Sequence, residues 1–119
     1  MKAVLKVRSS MTKPEKLLFV CTANRQRSPT AESLFEDDER YEARSCGVSA
    51  LEGTQCDATL LDWADVVFCM EPRHRQILEQ RYPEAREKEI VVLNIEDRYL
   101  RGEPELVHLL EKRLADWLA

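Results

Sequence analysis

Short apolar runs alternate along this chain with longer stretches in which apolar residues recur at helical spacing. Lys16–Val20 (KLLFV), Val66–Met70 (VVFCM) and Ile90–Leu93 (IVVL) are the runs, and each reads as a buried strand. Tyr41–Ser45, closed by Gly47, reads as a further strand. Pro29–Asp38 sets Ala31, Leu34 and Phe35 on one side of a helix, with Ser28 as N-cap, Pro29 at the first helical position and Glu32 near the positive end of the dipole. Asp57–Trp63 reads as a short helix carrying Ala58, Leu60 and Leu61, and Pro72–Tyr82 as one stopped before Pro83. Glu105–Leu118, with Pro104 at its start, sets Leu106, Leu109, Leu110, Leu114 and Trp117 along one side. This alternation predicts a single-domain α/β fold, a four-stranded parallel sheet with helices on both faces. Ligands of such sheets bind at the carboxyl ends of the strands, so the loop after the first strand is the first place to look for a site.

Composition narrows the reading. The 119 residues suit one domain, expected over 16–119, with 1–15 as a flexible N-terminal extension. A net charge of −4 does not advertise nucleic acid as a partner. No apolar run approaches the roughly 18 residues that cross a membrane, and no secretory signal is apparent, so a cytoplasmic protein is expected, monomeric or weakly dimeric. The cysteines at 21, 46, 56 and 69 form no C-x-x-C pair, and His74 and His108 are the only histidines. No metal or cofactor is expected, and the thiols are expected to be reduced. Both histidines read as surface or packing residues, and Trp63 and Trp117 as core anchors.

Candidate chemistry sits in CTANRQRS, Cys21 to Ser28. Cys21 and Arg27 are separated by five residues, but so are Cys69 and Arg75, so spacing alone decides nothing. The second copy encloses Glu71, which repels anions, and Pro72, which lacks an N–H. The first encloses Thr22, Ala23, Asn24, Arg25 and Gln26, with no acid and no proline, between a strand and a helix. A loop curled in that position can turn successive N–H groups inward as an anion nest. Arg27 can clamp two phosphate oxygens with its planar fork. The same field favours the thiolate of Cys21, a ready nucleophile beneath a bound phosphoryl group. Asn24 suits the left-handed backbone of a curled loop, and the Ser28 hydroxyl can donate to the sulfur. Arg25 reads as a solvated side chain that could favour substrates with acidic neighbours.

Val20–Glu32 (VCTANRQRSPTAE) resembles the signature of low-molecular-weight protein tyrosine phosphatases, and the resemblance runs from about Lys16 to the C-terminus. Ser45-Cys46-Gly47 is similar to the family's Ser-small-Gly segment, 64–70 to its third strand, and Ile95-Glu96-Asp97-Arg98-Tyr99 to its acid loop. The resemblance implies a phosphotyrosine phosphatase I-like fold and a metal-free phosphomonoesterase acting on phosphotyrosine proteins or small aryl phosphates. Cys21 is then the nucleophile, and Arg27 and the loop from Thr22 to Ser28 bind phosphate. It also implies Asp97 as the general acid, Tyr99 as a wall against the substrate ring, and Ser45 as a support of the loop. Arg98 departs from the family's proline, and Glu103, before Pro104, competes as the acid. Gln26 stands where some members carry a second cysteine that protects the nucleophile. Two other readings stay open: an arsenate reductase, which needs further cysteines, and a phosphate-binding module without catalysis.

Overall fold

The computed structural model describes residues 13–118. Most of the expected N-terminal extension, residues 1–12, lies outside the described residues. Four parallel strands form one sheet: β1 (Glu15–Cys21), β2 (Tyr41–Gly47), β3 (Val66–Cys69) and β4 (Glu89–Val92), in the order β2-β1-β3-β4. The helices are α1 (Arg27–Ser33), α2 (Ala58–Trp63), α3 (Pro72–Arg81) and α4 (Pro104–Leu114), with a 3-10 turn at Pro83–Glu87. The expected α/β architecture is the observed one.

The central strands explain themselves. Leu17, Leu18, Phe19 and Val20 of β1 and all of β3 are buried, because helices cover both faces there. On one face Phe19, Phe68, Leu93 and Ile95 pack with Ala31, Leu106, Leu110 and Leu114 from α1 and α4. On the other, Leu18, Val20 and Val67 pack with Leu61 and Leu78 from α2 and α3. The edge strand β2 instead alternates, with Glu42 and Arg44 exposed. Charges of that kind discourage strand addition from outside. Among the described residues no helix is long and apolar enough to cross a membrane.

Three sequence expectations need correction. The first helix starts at Arg27 rather than Pro29 and ends at Ser33 rather than Asp38. Gln26 takes the N-cap position, and the Ser28 hydroxyl turns to the sulfur instead. Beyond Ser33 comes Glu36-Asp37-Asp38-Glu39, and negative charge at a helix C-terminus opposes the dipole. Trp117 is no core anchor: α4 stops at Leu114, and the indole beyond it is 56% exposed. Cys46 and Cys56 are not free thiols but a buried disulfide with a Cα–Cα distance of 5.0 Å. Their strand-end and loop positions meet because the chain folds back, with Gly47 N–H donating to Thr54 O and Cys56 N–H to Gly47 O.

Candidate active site

Cys21 is the last residue of β1, and the chain curls back over it before α1 begins. Asn24 makes the curl possible by adopting a left-handed φ of 57°. Its N–H then reaches the Cys21 sulfur at 3.3 Å. The Ser28 oxygen lies 2.9 Å from the same sulfur.

The polarity of this network is fixed from its far end. A Glu32 oxygen accepts from the Ser45 hydroxyl at 2.6 Å. Ser45 therefore receives a proton from the Asn24 amide, whose second proton goes to Ser28, each at 3.0 Å. Ser28 keeps its own proton to donate, to the sulfur or to Cys46 O at 3.3 Å. Thr54 N–H occupies the Asn24 carbonyl oxygen at 2.8 Å. Two glycines let this supporting segment approach closely. A Cβ at Gly47 would sit 2.5 Å from Thr22 O, and one at Gly53 would sit 2.7 Å from the Asn24 side chain.

Arg27 is 1% exposed, and its guanidinium is held on several sides. It donates to Glu71 at 2.5 Å and to Ile95 O at 2.6 Å, and it lies 3.8 Å from Asp97. Burial pushes the Glu71 carboxyl up, but the Arg27 and Arg73 guanidiniums outweigh it and hold the group below its ordinary range. The Thr22 hydroxyl oxygen faces Arg73 at 2.6 Å, His74 at 2.9 Å and Arg27 at 3.4 Å. His74 accepts from Glu71 N–H through Nδ1 at 3.1 Å, so its Nε2 carries the proton that Thr22 accepts. Burial, with Arg27 close by, lowers His74 to about 4, which keeps this neutral form.

A cleft of about 240 Å3 is lined by Cys21, Thr22, Ala23, Arg25, Gln26, Arg27 and Asp97. Asp97 thus faces the sulfur across the cleft, on the loop after β4. Glu103 lies elsewhere: it precedes α4 and accepts from Leu100 N–H at 2.9 Å. Tyr99 packs on the core beside α4, with the Arg98 guanidinium 5.3 Å from its ring centroid, and does not line the cleft. Arg25 is exposed at the rim. The competing motif is inert: burial pushes the Cys69 thiol up to about 12, and Arg75 pairs with Glu79.

Sequence reasoning missed Glu71, His74 and Glu32. Glu71 was noticed only as an obstacle to anions in the wrong loop, whereas it clamps the guanidinium of the right one. A signal existed. With β1 and β3 adjacent and parallel, the loops after them emerge side by side, so polar residues at 71–74 were candidates to face Cys21.

Comparisons with known proteins bear on the family and the fold. The sequence pattern of the family "Low molecular weight phosphotyrosine protein phosphatase" matches residues 16–63, from β1 through α2. A protein-arginine-phosphatase of Geobacillus stearothermophilus is 31% identical, the match covering 63% of this chain and 67% of that one. The solved YwlE arginine phosphatase of the same organism superposes with a TM-score of 0.68 at 29% identity, over 87% of this chain and 92% of that one. The tyrosine phosphatase Wzb from Escherichia coli K30, solved with phosphate, gives 0.71 at 25% identity, over 88% and 90%. Sequence and fold lead to one family: this chain is a member of the low molecular weight phosphotyrosine protein phosphatases, which are cysteine-dependent enzymes.

Proposed function

We propose that the protein hydrolyses phosphate monoesters, with phosphotyrosine on proteins as its substrate class, through a phosphocysteine on Cys21. The observation that carries this reading is the sulfur at the floor of the cleft, with the Asn24 N–H and the Ser28 hydroxyl aimed at it and Arg27 beside it. The Cys21 thiolate attacks phosphorus, and the phosphorus–oxygen ester bond breaks. Asp97 gives its proton to the leaving oxygen. A water then attacks the phosphocysteine while Asp97 takes the proton back, and inorganic phosphate leaves with the thiolate restored. Arg27 and the amides from Thr22 to Ser28 hold the equatorial oxygens. Tyr99, expected as the aromatic wall, packs on the core instead, so the substrate ring is met by the cleft's own rim at Arg25 and Gln26.

The similar protein-arginine-phosphatase points to phosphoarginine as the rival substrate. Arg27 is neutralised by Glu71, so a phosphoarginine guanidinium would enter between exposed Arg25 and the carboxylate of Asp97, and turnover of the two kinds of phosphopeptide decides between the two substrates. An arsenate reductase needs further reactive thiols, whereas Cys46 and Cys56 are bonded and Cys69 is buried. The cytoplasm keeps Cys21 reduced, and burial shields the disulfide from the thiol pool there.

Hydrolysis of p-nitrophenyl phosphate and of phosphotyrosyl and phosphoarginyl peptides across pH tests this. Cys21→Ser is expected to abolish turnover. Asp97→Asn should slow it by about 100-fold and remove the acid-dependent limb of the rate profile. If Glu103→Gln removes that limb instead, the acid is Glu103. Full turnover by Cys21→Ser defeats the reading.

A further inference from the structure

On the outer side of the Cys21 loop lies a larger cavity of about 790 Å3 that the reaction above does not use. Arg25 lines both this cavity and the catalytic cleft, so the two share a wall. Two more arginines line it. Arg44 comes from the edge strand β2, with its guanidinium 4.3 Å from the Trp63 ring centroid, a stacking that keeps the cation in place. Arg101 sits in a turn pinned to the loop and to α1: its N–H donates to Gln26 Oε1 at 2.5 Å, and Gly102 N–H donates to Thr30 Oγ1 at 2.9 Å.

Arg44 is partly offset by Glu42 at 3.7 Å, a pair half-exposed to solvent, whereas the other two charges are available. Among the described residues, neither the Arg25 nor the Arg101 side chain has an ion-pair partner. Two carboxylates share the cavity, and one of them, Glu32, is engaged by the Ser45 hydroxyl. Guanidiniums therefore outnumber carboxylates at a protein surface whose overall charge is −4. Leu51 and Leu100, chain neighbours of the lining residues Glu52 and Arg101, are 99% and 70% exposed. They offer apolar contact to a polypeptide, which a free anion would not use.

We propose that this cavity is a subsite for an anionic group on a peptide substrate. The enzyme then prefers a phosphorylated residue that has a carboxylate or a second phosphate a few positions away. One residue of extended chain spans about 3.5 Å, so a neighbouring side chain reaches across the Arg25 wall while the phosphoryl group sits on Cys21. The inference rests on the Cys21 reaction and names its substrate class. Guanidinium forks suit both carboxylate and phosphate, so the shared chemistry is the anion.

Phosphotyrosyl peptides that differ only beside the phosphotyrosine test this: one neutral, one with glutamates, one with a second phosphate. Their kcat/KM values are compared in wild type, Arg44→Ala, Arg101→Ala and Arg101→Glu, with p-nitrophenyl phosphate alongside. In wild type at low salt, the ratio of an anionic to the neutral peptide should be about tenfold, and should shrink as salt rises. Each alanine variant should cut that ratio by about threefold or more, and Arg101→Glu should bring it to one or below. Because the readout is a ratio within each variant, a general loss of activity does not imitate the effect. A gain from either anion supports the subsite and identifies its source. Equal kcat/KM for all three peptides in wild type, or a ratio that survives every variant, overturns it. Absence of Cys21-dependent turnover even of p-nitrophenyl phosphate would instead remove the hydrolase reading beneath it.

Discussion

At the scale of single residues, the site is a directed chain of protons: Asn24 to Ser45 to Glu32 in one direction, and Asn24 to Ser28 to Cys21 in the other. Asn24 is its branch point and also carries the left-handed φ. Asn24→Ala removes a donor from buried Ser28 and half-buried Ser45, leaves the exposed Thr54 N–H to water, and strains the backbone. Each buried polar group left unpaired costs about 1–3 kcal/mol. The expected result is a fall in kcat of about 100-fold and a loss of about 2–4 kcal/mol in urea unfolding. A variant with wild-type kcat would show that the sulfur does not depend on this chain. Cys21, Asn24, Arg27, Ser28 and Ser45 were legible because a curled loop after a strand is local chemistry. Glu71, His74 and Glu32 were not. Glu71 lies 44 residues from the arginine it holds, and only the order of the strands brings them together.

At the scale of elements, the sheet order decides which loops can cooperate. Placing β1 between β2 and β3 gathers the loop after each strand around one sulfur. The periodicity of the chain placed the strands and two of the four helices to within about two residues, because burial on both faces leaves continuous apolar runs, whereas the last helix stops four residues short of Leu118. The first helix was misplaced because its opening residues serve the site rather than a cap. The disulfide was missed because a spacing of ten between cysteines does not say whether the chain between them returns. Here it does, and the bond closes the segment whose Gly53 and Thr54 press on Asn24. Closing a loop of that length stabilises a fold by about 2–3 kcal/mol. Replacing both cysteines by serine should lower unfolding free energy by about that amount. It should also weaken kcat more than it raises KM for aryl phosphate, since the loosened segment supports the sulfur rather than the leaving group. Denaturant titration and steady-state kinetics read the two effects. Equal unfolding free energies for wild type and the double-serine variant would mean that the bond contributes nothing.

At the scale of the whole molecule, the site is linked to acid stability through His74. This imidazole is fully buried between Thr22 and Glu71, and folding lowers it from an ordinary value of 6.5 to about 4. Between those limits the unfolded chain binds a proton that the folded site refuses, so unfolding takes up a proton. The contribution is fully present above pH 6.5 and is lost progressively as pH falls toward 4, amounting to roughly 3 kcal/mol across the window. Glu71 acts in a lower window. Its carboxyl is held below the ordinary 4.5, so what it contributes persists to more acid pH before protonation breaks its pairing with Arg27. Urea unfolding from pH 7 to pH 4 should therefore show stability falling before the carboxylates titrate. His74→Gln keeps a donor for Thr22 but cannot titrate. It should flatten the slope between pH 6.5 and 4.5 by close to one proton, even if it costs stability at every pH. An unchanged slope in that variant would place the acid sensitivity elsewhere. A loss of activity that tracks the same window in wild type would tie it to the Thr22 hydroxyl that His74 holds in the cleft.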